Sequence, residues 1–95
     1  MPSILQYKKR YERFFHEGAV TSMAFDPHGT ILAAGSLDGL VSVWDVNSGA
    51  TLYCINARTP VLSLVWSSGP NGFIFGCENG VLVSILLEKV CGSIS

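Results

Sequence analysis

The sequence predicts an all-β chain of two antiparallel units, each of three to four strands, stacked face to face. Three observations predict it. Short, apolar, β-prone runs alternate with Gly, Asn and Asp turn signals along most of the 95 residues. A shift of 41 residues lays the second half on the first without a gap: Val20 on Val61, Ser22 on Ser63, Phe25 on Trp66, Gly35 on Gly76 and Gly39 on Gly80. The third strand of each unit is apolar on both faces, with Leu40, Val41 and Val43 in the first and Val81, Leu82, Val83, Ile85 and Leu86 in the second. Such strands need cover on both sides.

Taken in order, residues 4–15 mix aromatic and basic residues with Glu12, and the alternation of Tyr11, Arg13 and Phe15 against Glu12 and Phe14 suits a strand, with a short helix as the alternative. Four of the six basic residues, Lys8, Lys9, Arg10 and Arg13, fall in this segment. The expected role of these charges is the solvated face of an edge strand, since a nucleic-acid surface needs more charge and stacking aromatics placed with it. Residues 20–25 form the first β-prone run, and Asp26-Pro27-His28-Gly29 is a turn with Pro where its fixed φ suits. Residues 30–36 follow, then Asp38-Gly39 closes a second hairpin. Residues 40–44 are the third run, Asn47-Ser48-Gly49 turns the chain again, and residues 50–55 are a fourth, outer run.

The second unit repeats this plan with strands at 61–66, 73–77 and 81–86 and turns at 67–72 and Asn79-Gly80. Its outer strand is incomplete, because residues 89–95 offer only Val90, Cys91 and Ile94 as apolar positions.

Four residues exceed what a plain meander requires: His16 before the first strand, Ser36, Asp38 in the tight turn, and Trp44. Their order, a His, then Gly-Ser-x-Asp-Gly, then Trp-Asp, resembles the WD-repeat β-propeller family, in which one such unit is one blade and a period of about 40 to 45 residues is usual. The resemblance implies that the four side chains form a hydrogen-bonded chain, Asp38 to His16, His16 to Ser36 and Ser36 to Trp44, tying three strands together. A buried carboxylate, imidazole, hydroxyl and indole can satisfy one another in that way. The resemblance further implies propeller-type blades with a first repeat at 16–55, a degenerate repeat at 56–95, and a preceding segment, 1–15, that supplies an outer strand. In the second repeat the network positions hold Ala57, Cys77, Asn79 and Ile85, so only Asn79 keeps a polar group. Two blades do not close a ring, which typically takes four to eight, so the expected assembly is an open, incomplete propeller.

The expected function is a non-catalytic protein–protein interaction module or scaffold fragment. Its loop face, by resemblance, carries Glu17, Gly18, Leu37, Arg58, Thr59 and Glu78. The alternative is a truncated product with no biochemical function of its own, and an enzyme is the less favoured third. No Gly-x-Ser-x-Gly elbow, phosphate-cradling Gly loop or spaced carboxylate pair is present, and Ser36 falls inside a strand. Cys54, Cys77 and Cys91 are odd in number and widely spaced, which fits packed thiols better than a disulfide framework or, with His16 and His28, a metal site. No cofactor or metal is expected. The apolar runs at 61–66 and 81–87 fall short of the roughly 18 to 20 residues of a membrane span, and the N-terminus has the wrong order of charge and apolarity for a secretory signal. The expected setting is intracellular, cytoplasmic or nuclear, with other proteins as partners and neither nucleic acid nor membrane. Bare outer faces further imply self-association, or association with a chain that supplies more blades.

Overall fold

The computed structural model describes residues 5–9, 16–67 and 71–88. The described residues hold seven strands: β1 (Val20–Phe25), β2 (Ile31–Ser36), β3 (Leu40–Asp45), β4 (Thr51–Asn56), β5 (Val61–Trp66), β6 (Gly72–Cys77) and β7 (Leu82–Leu86). They form a four-stranded antiparallel sheet ordered β1-β2-β3-β4 and a three-stranded sheet ordered β5-β6-β7. The all-β expectation of two stacked, open blades of three to four strands is borne out.

The 41-residue period is written into the hydrogen-bond register. Met23 faces Ala34 and Leu64 faces Phe75; Phe25 faces Leu32 and Trp66 faces Phe73; Ala34 faces Ser42 and Phe75 faces Val83. Both first strands carry an irregularity at the same step, Val20/Ser22 and Val61/Ser63. The tight turns repeat as well. Gly39 (φ 87°) and Gly80 (φ 90°) take the left-handed backbone that a two-residue hairpin turn demands. Gly39 N–H donates to Ser36 O at 3.2 Å, and Gly80 N–H to Cys77 O at 3.0 Å.

One core joins the sheets. Ala33, Val41 and Val43 from the first meet Val61, Leu64, Phe73, Phe75 and Cys77 of the second. Strand alternation explains the choice: residues 33, 41 and 43 share one face through the pairings Ala33↔Val43 and Gly35↔Val41, and residues 64, 73 and 75 share the opposing face. Phe73 and Phe75 are each 1% exposed, and burying a side chain of that size is worth roughly 1.5 to 3 kcal/mol. Phe73 also stacks on Trp66 with ring centroids 5.1 Å apart. Gly35 sets how closely the sheets approach, since a Cβ there would lie 2.6 Å from Val61 Cγ1.

Two expectations change. Residues 5–9 form no strand, and Leu5 and Tyr7 are 97% and 96% exposed; nothing apolar is placed against them, so their side chains are solvated. The remainder of that expected strand, residue 4 and residues 10–15, and the outer run at 89–95, which includes Cys91, lie outside the described residues. Cys54, expected as a packed thiol, is exposed, whereas Cys77 is buried. Cys54 faces Ser42 across the sheet, on the side that the second sheet does not cover.

Candidate functional site

The side chains of His16, Ser36, Asp38 and Trp44 lie together at one end of the first sheet, with a fifth member, Ser42. Trp44 Nε1–H donates to Ser42 Oγ at 2.7 Å. Ser42 Oγ lies 2.8 Å from His16 Nε2, and His16 Nδ1 lies 2.8 Å from Ser36 Oγ. Ser36 O–H donates to Asp38 Oδ1. One assignment of protons satisfies every member: Trp44 to Ser42, Ser42 to His16 Nε2, His16 Nδ1–H to Ser36, and Ser36 to the carboxylate, with a neutral imidazole. The chain therefore runs through Ser42 and not directly from Ser36 to Trp44. Alternation accounts for this. Ser42 stands two residues before Trp44 and opposite Ala34, and so on the face that Ser36 shares.

Asp38 is the anchor at the other end. Its Oδ2 accepts the Glu17 N–H at 2.8 Å, its Oδ1 accepts the Leu40 N–H at 3.1 Å, and His16 Nδ1 is 3.5 Å away. Burial pushes the Asp38 carboxyl up. The Glu17 and Leu40 N–H groups, the His16 ring and the Gly18 N–H outweigh it and hold the group below its ordinary value.

Although a serine, a histidine and an aspartate are linked here, the geometry suits cohesion rather than nucleophilic attack. Ser36 and Ser42 are both 0% exposed. Ser42 Oγ is engaged by the indole and the imidazole, and Ser36 Oγ by the imidazole and the carboxylate, so neither oxygen meets solvent. No group of three or more His, Cys, Asp or Glu capable of holding a metal occurs among the described residues.

Above this network the loops form a continuous row. Glu17 is tied to Asp38, and a Cβ on Gly18 would lie 2.7 Å from Asp38 N. Leu37 N–H donates to Ala19 O at 2.9 Å. The next connection crosses over the turn: Ala57 N–H donates to Gly39 O at 2.7 Å, and a Cβ on Gly39 would sit 3.2 Å from Thr59 N. Arg58 holds φ 64°, its N–H donating to Asn56 Oδ1 at 2.9 Å. Glu78 N–H closes the row on Pro60 O at 2.9 Å. Glu17, Gly18, Leu37, Arg58, Thr59 and Glu78 thus share one edge, with Glu17, Leu37, Arg58 and Glu78 exposed.

A second hydrogen-bonded carboxylate, Asp26, is not singled out by the sequence. It is 5% exposed. Its Oδ1 accepts the Thr30 and Ile31 N–H groups at 2.8 and 2.9 Å, and its Oδ2 the Thr30 hydroxyl at 3.2 Å. Burial pushes its carboxyl up, but these bonds and the nearby His28 hold it below the ordinary value. Asp-x-x-x-Thr across a Pro-Gly turn was the available signal.

Residues 8–45 match the family described as WD domain, G-beta repeat. The chain is 32% identical over 68 residues to cross-pathway control WD-repeat protein 2 of Flammulina velutipes, covering 72% of this chain and 21% of that protein. It is 29% identical over 79 residues to the small ribosomal subunit protein RACK1 of Schizosaccharomyces pombe, covering 83% of this chain and 24% of the relative. The chain thus spans between a fifth and a quarter of the length of these relatives. Among solved structures, a chain in the crystal structure of the mitotic checkpoint complex superposes with a TM-score of 0.76 at 24% identity, over 83% of this chain and 26% of that one.

Proposed function

This chain carries a WD repeat of the G-beta type in residues 8–45, and from that premise we propose that it is a non-catalytic protein–protein interaction module, with residues 16–55 as one blade and 56–95 as a second, degenerate one. The observation that carries the reading is the loop edge. Six residues from four separate connections share one row, tied by hydrogen bonds of Glu17 to the Asp38 carboxylate, Leu37 to Ala19, Ala57 to Gly39 and Glu78 to Pro60, over a side-chain network whose Ser36 and Ser42 oxygens are buried. Exposed side chains on a rigid backbone bind with little ordering cost.

A protein is the favoured partner. The edge carries Glu17 and Glu78 against the single Arg58, a balance that repels a phosphate backbone. No helix among the described residues is long and apolar enough to cross a membrane. An intracellular setting, cytoplasmic or nuclear, is supported by the relative named as a small ribosomal subunit protein.

The test is a comparison of partners retained by the wild-type chain and by a Glu17→Arg/Glu78→Arg variant, both immobilised from the same cell extract. Both side chains are exposed and each site uses only its backbone N–H, so the variant keeps the wild-type melt. Loss of specific partners with an unchanged melt supports the reading, and an identical partner set overturns the loop-edge assignment.

A second reading, that the chain has no biochemical function apart from further blades, is favoured by the apolar faces it leaves open. Leu82 is 77% exposed and Met23 65%. It predicts that the wild-type chain retains no specific partner in the same experiment.

A further inference from the structure

We infer that Asn71 is a site of covalent self-modification, its side-chain amide converted to a carboxylate through attack by the Gly72 main-chain nitrogen, and that the fold shields the other Asn-Gly pair, Asn79-Gly80. The inference goes beyond the interaction reading and depends on no partner and on neither end of the chain.

The chemistry is intramolecular and needs only water. The Gly72 nitrogen bonds to Asn71 Cγ and gives up its proton to water, the Cγ–Nδ2 bond breaks, and Nδ2 leaves as ammonia. Water then opens the cyclic imide. Attack at Cγ leaves aspartate; attack at the main-chain carbonyl leaves isoaspartate, whose backbone runs through Cβ. Nothing is oxidised or reduced. Glycine in the following position suits the reaction, because no side chain crowds the nitrogen or restricts its backbone. Both reacting groups must also be free to meet.

The four asparagines, Asn47, Asn56, Asn71 and Asn79, differ in that freedom. Asn47 and Asn56 precede Ser48 and Ala57 rather than glycine. Asn56 Oδ1 is held by the Arg58 N–H at 2.9 Å, and Asn79 Oδ1 by the Val81 N–H at 3.1 Å. Asn71 is exposed, and its side chain hydrogen-bonds to none of the described residues. The attacking nitrogens differ as well. Gly80 N–H is committed to Cys77 O at 3.0 Å within the hairpin turn.

The 41-residue repeat shows what happened at Gly72. It stands where the first unit has Ile31, and Ser67 stands where that unit has Asp26. Asp26 Oδ1 accepts the Ile31 N–H at 2.9 Å. Ser67 instead directs its hydroxyl at Gly72 O, at 3.1 Å, beside its own N–H at 2.9 Å. The second unit has thus lost the carboxylate that caps this nitrogen in the first. The main-chain oxygen of Asn71 meanwhile accepts the Leu87 N–H at 2.8 Å, joining the start of β6 to the end of β7. In isoaspartate that carbonyl leaves the main chain and becomes the side-chain carboxylate, so this bond loses its geometry. Leu87, which packs against the core, is released with it.

The experiment incubates the full chain in mildly alkaline buffer, folded and in denaturant, and follows each asparagine by peptide mass spectrometry, reading the mass gain from amide to acid. In denaturant Asn71 and Asn79 should convert at comparable rates. In the folded chain Asn71 should go on converting while Asn79 falls behind by roughly 25-fold, because two hydrogen bonds must open there, at about fivefold each. Ser67→Asp restores the cap, and, with folding verified by a cooperative melt, should slow Asn71 by about fivefold and leave Asn79 unchanged. Equal rates at the two sites in the folded chain overturn the inference, as does an Asn71 that converts only in denaturant. An unchanged Asn71 rate in folded Ser67→Asp overturns it too. If that variant does not fold, the comparison of the two sites in the wild-type chain decides alone.

Discussion

Thr21 in β1 donates its hydroxyl to the main-chain oxygen of Val61, the first residue of β5, across 2.6 Å. The same oxygen atom of Thr21 is 3.2 Å from Gly35 O, so one side chain spans the second strand of the first sheet and the opening strand of the second. Elsewhere the two sheets meet through apolar side chains. This bond gives a direction to a contact that the hydrophobic effect alone would leave free to slide.

Replacing Thr21 with Val keeps the shape and removes the hydroxyl. The expected loss is about 1 kcal/mol, the usual net worth of an intramolecular hydrogen bond. Urea unfolding should show a lower midpoint with an unchanged slope, since the buried area is the same.

Gly35→Ala and Gly76→Ala form a pair with opposite outcomes at equivalent positions. The new methyl at 35 falls 2.6 Å from Val61 Cγ1, so the sheets must part or Val61 must move, at a cost of about 1 to 3 kcal/mol by the usual overpacking range. At 76 the nearest atom is the end of the Leu82 side chain at 3.4 Å, ordinary contact. Thermal melts of the two variants at a concentration where the chain is monomeric should separate clearly, with Gly76→Ala close to the wild type.

The strands were legible in the sequence because each apolar run is bounded by a turn whose chemistry is local: Asp38-Gly39 and Asn79-Gly80 specify hairpins without help from the rest of the fold. The repeat was legible because its period survives in the glycines. Ser42 was not, although the information existed. It lies on the same face as Trp44 and beside Ser36, but that follows only once the register around Asp38-Gly39 is drawn. The exposure of Cys54 was not legible either, since an apolar strand context does not say which face a neighbouring sheet covers. The alternation that suits a strand in the N-terminal segment falls on residues 11–15, outside the described residues, and does not extend to residues 5–9, where Leu5 and Tyr7 are solvated.

Asp38→Ala removes the acceptor of a hydroxyl, Ser36, that is 0% exposed, together with the acceptor of two backbone N–H groups. The expected cost is about 2 to 3 kcal/mol, at the upper end for an unsatisfied buried donor. Asn79→Ala is the internal control. Its side chain accepts only the Val81 N–H at 3.1 Å on the exposed surface, and its cost should stay within about 0.5 kcal/mol. Equal losses in chemical denaturation would show that the network contributes nothing beyond its turn.

Acid should uncover the two hydrogen-bonded carboxylates. Asp26 and Asp38 are both held below their ordinary values in the folded chain, so each contributes stability that is fully present above the unfolded value, near pH 4, and that is lost as pH falls through the lower folded value. The sign follows because the unfolded chain takes up the protons first. Denaturation midpoints should therefore be flat from neutrality down to about pH 5 and fall steeply below pH 4. In Asp26→Asn the amide keeps one oxygen acceptor for the Thr30 and Ile31 N–H groups but cannot titrate. That variant should start less stable than the wild type at neutral pH and lose less on acidification, so that the two curves converge toward low pH. Parallel curves would remove Asp26 from the acid response and leave it to Asp38 and the exposed carboxylates.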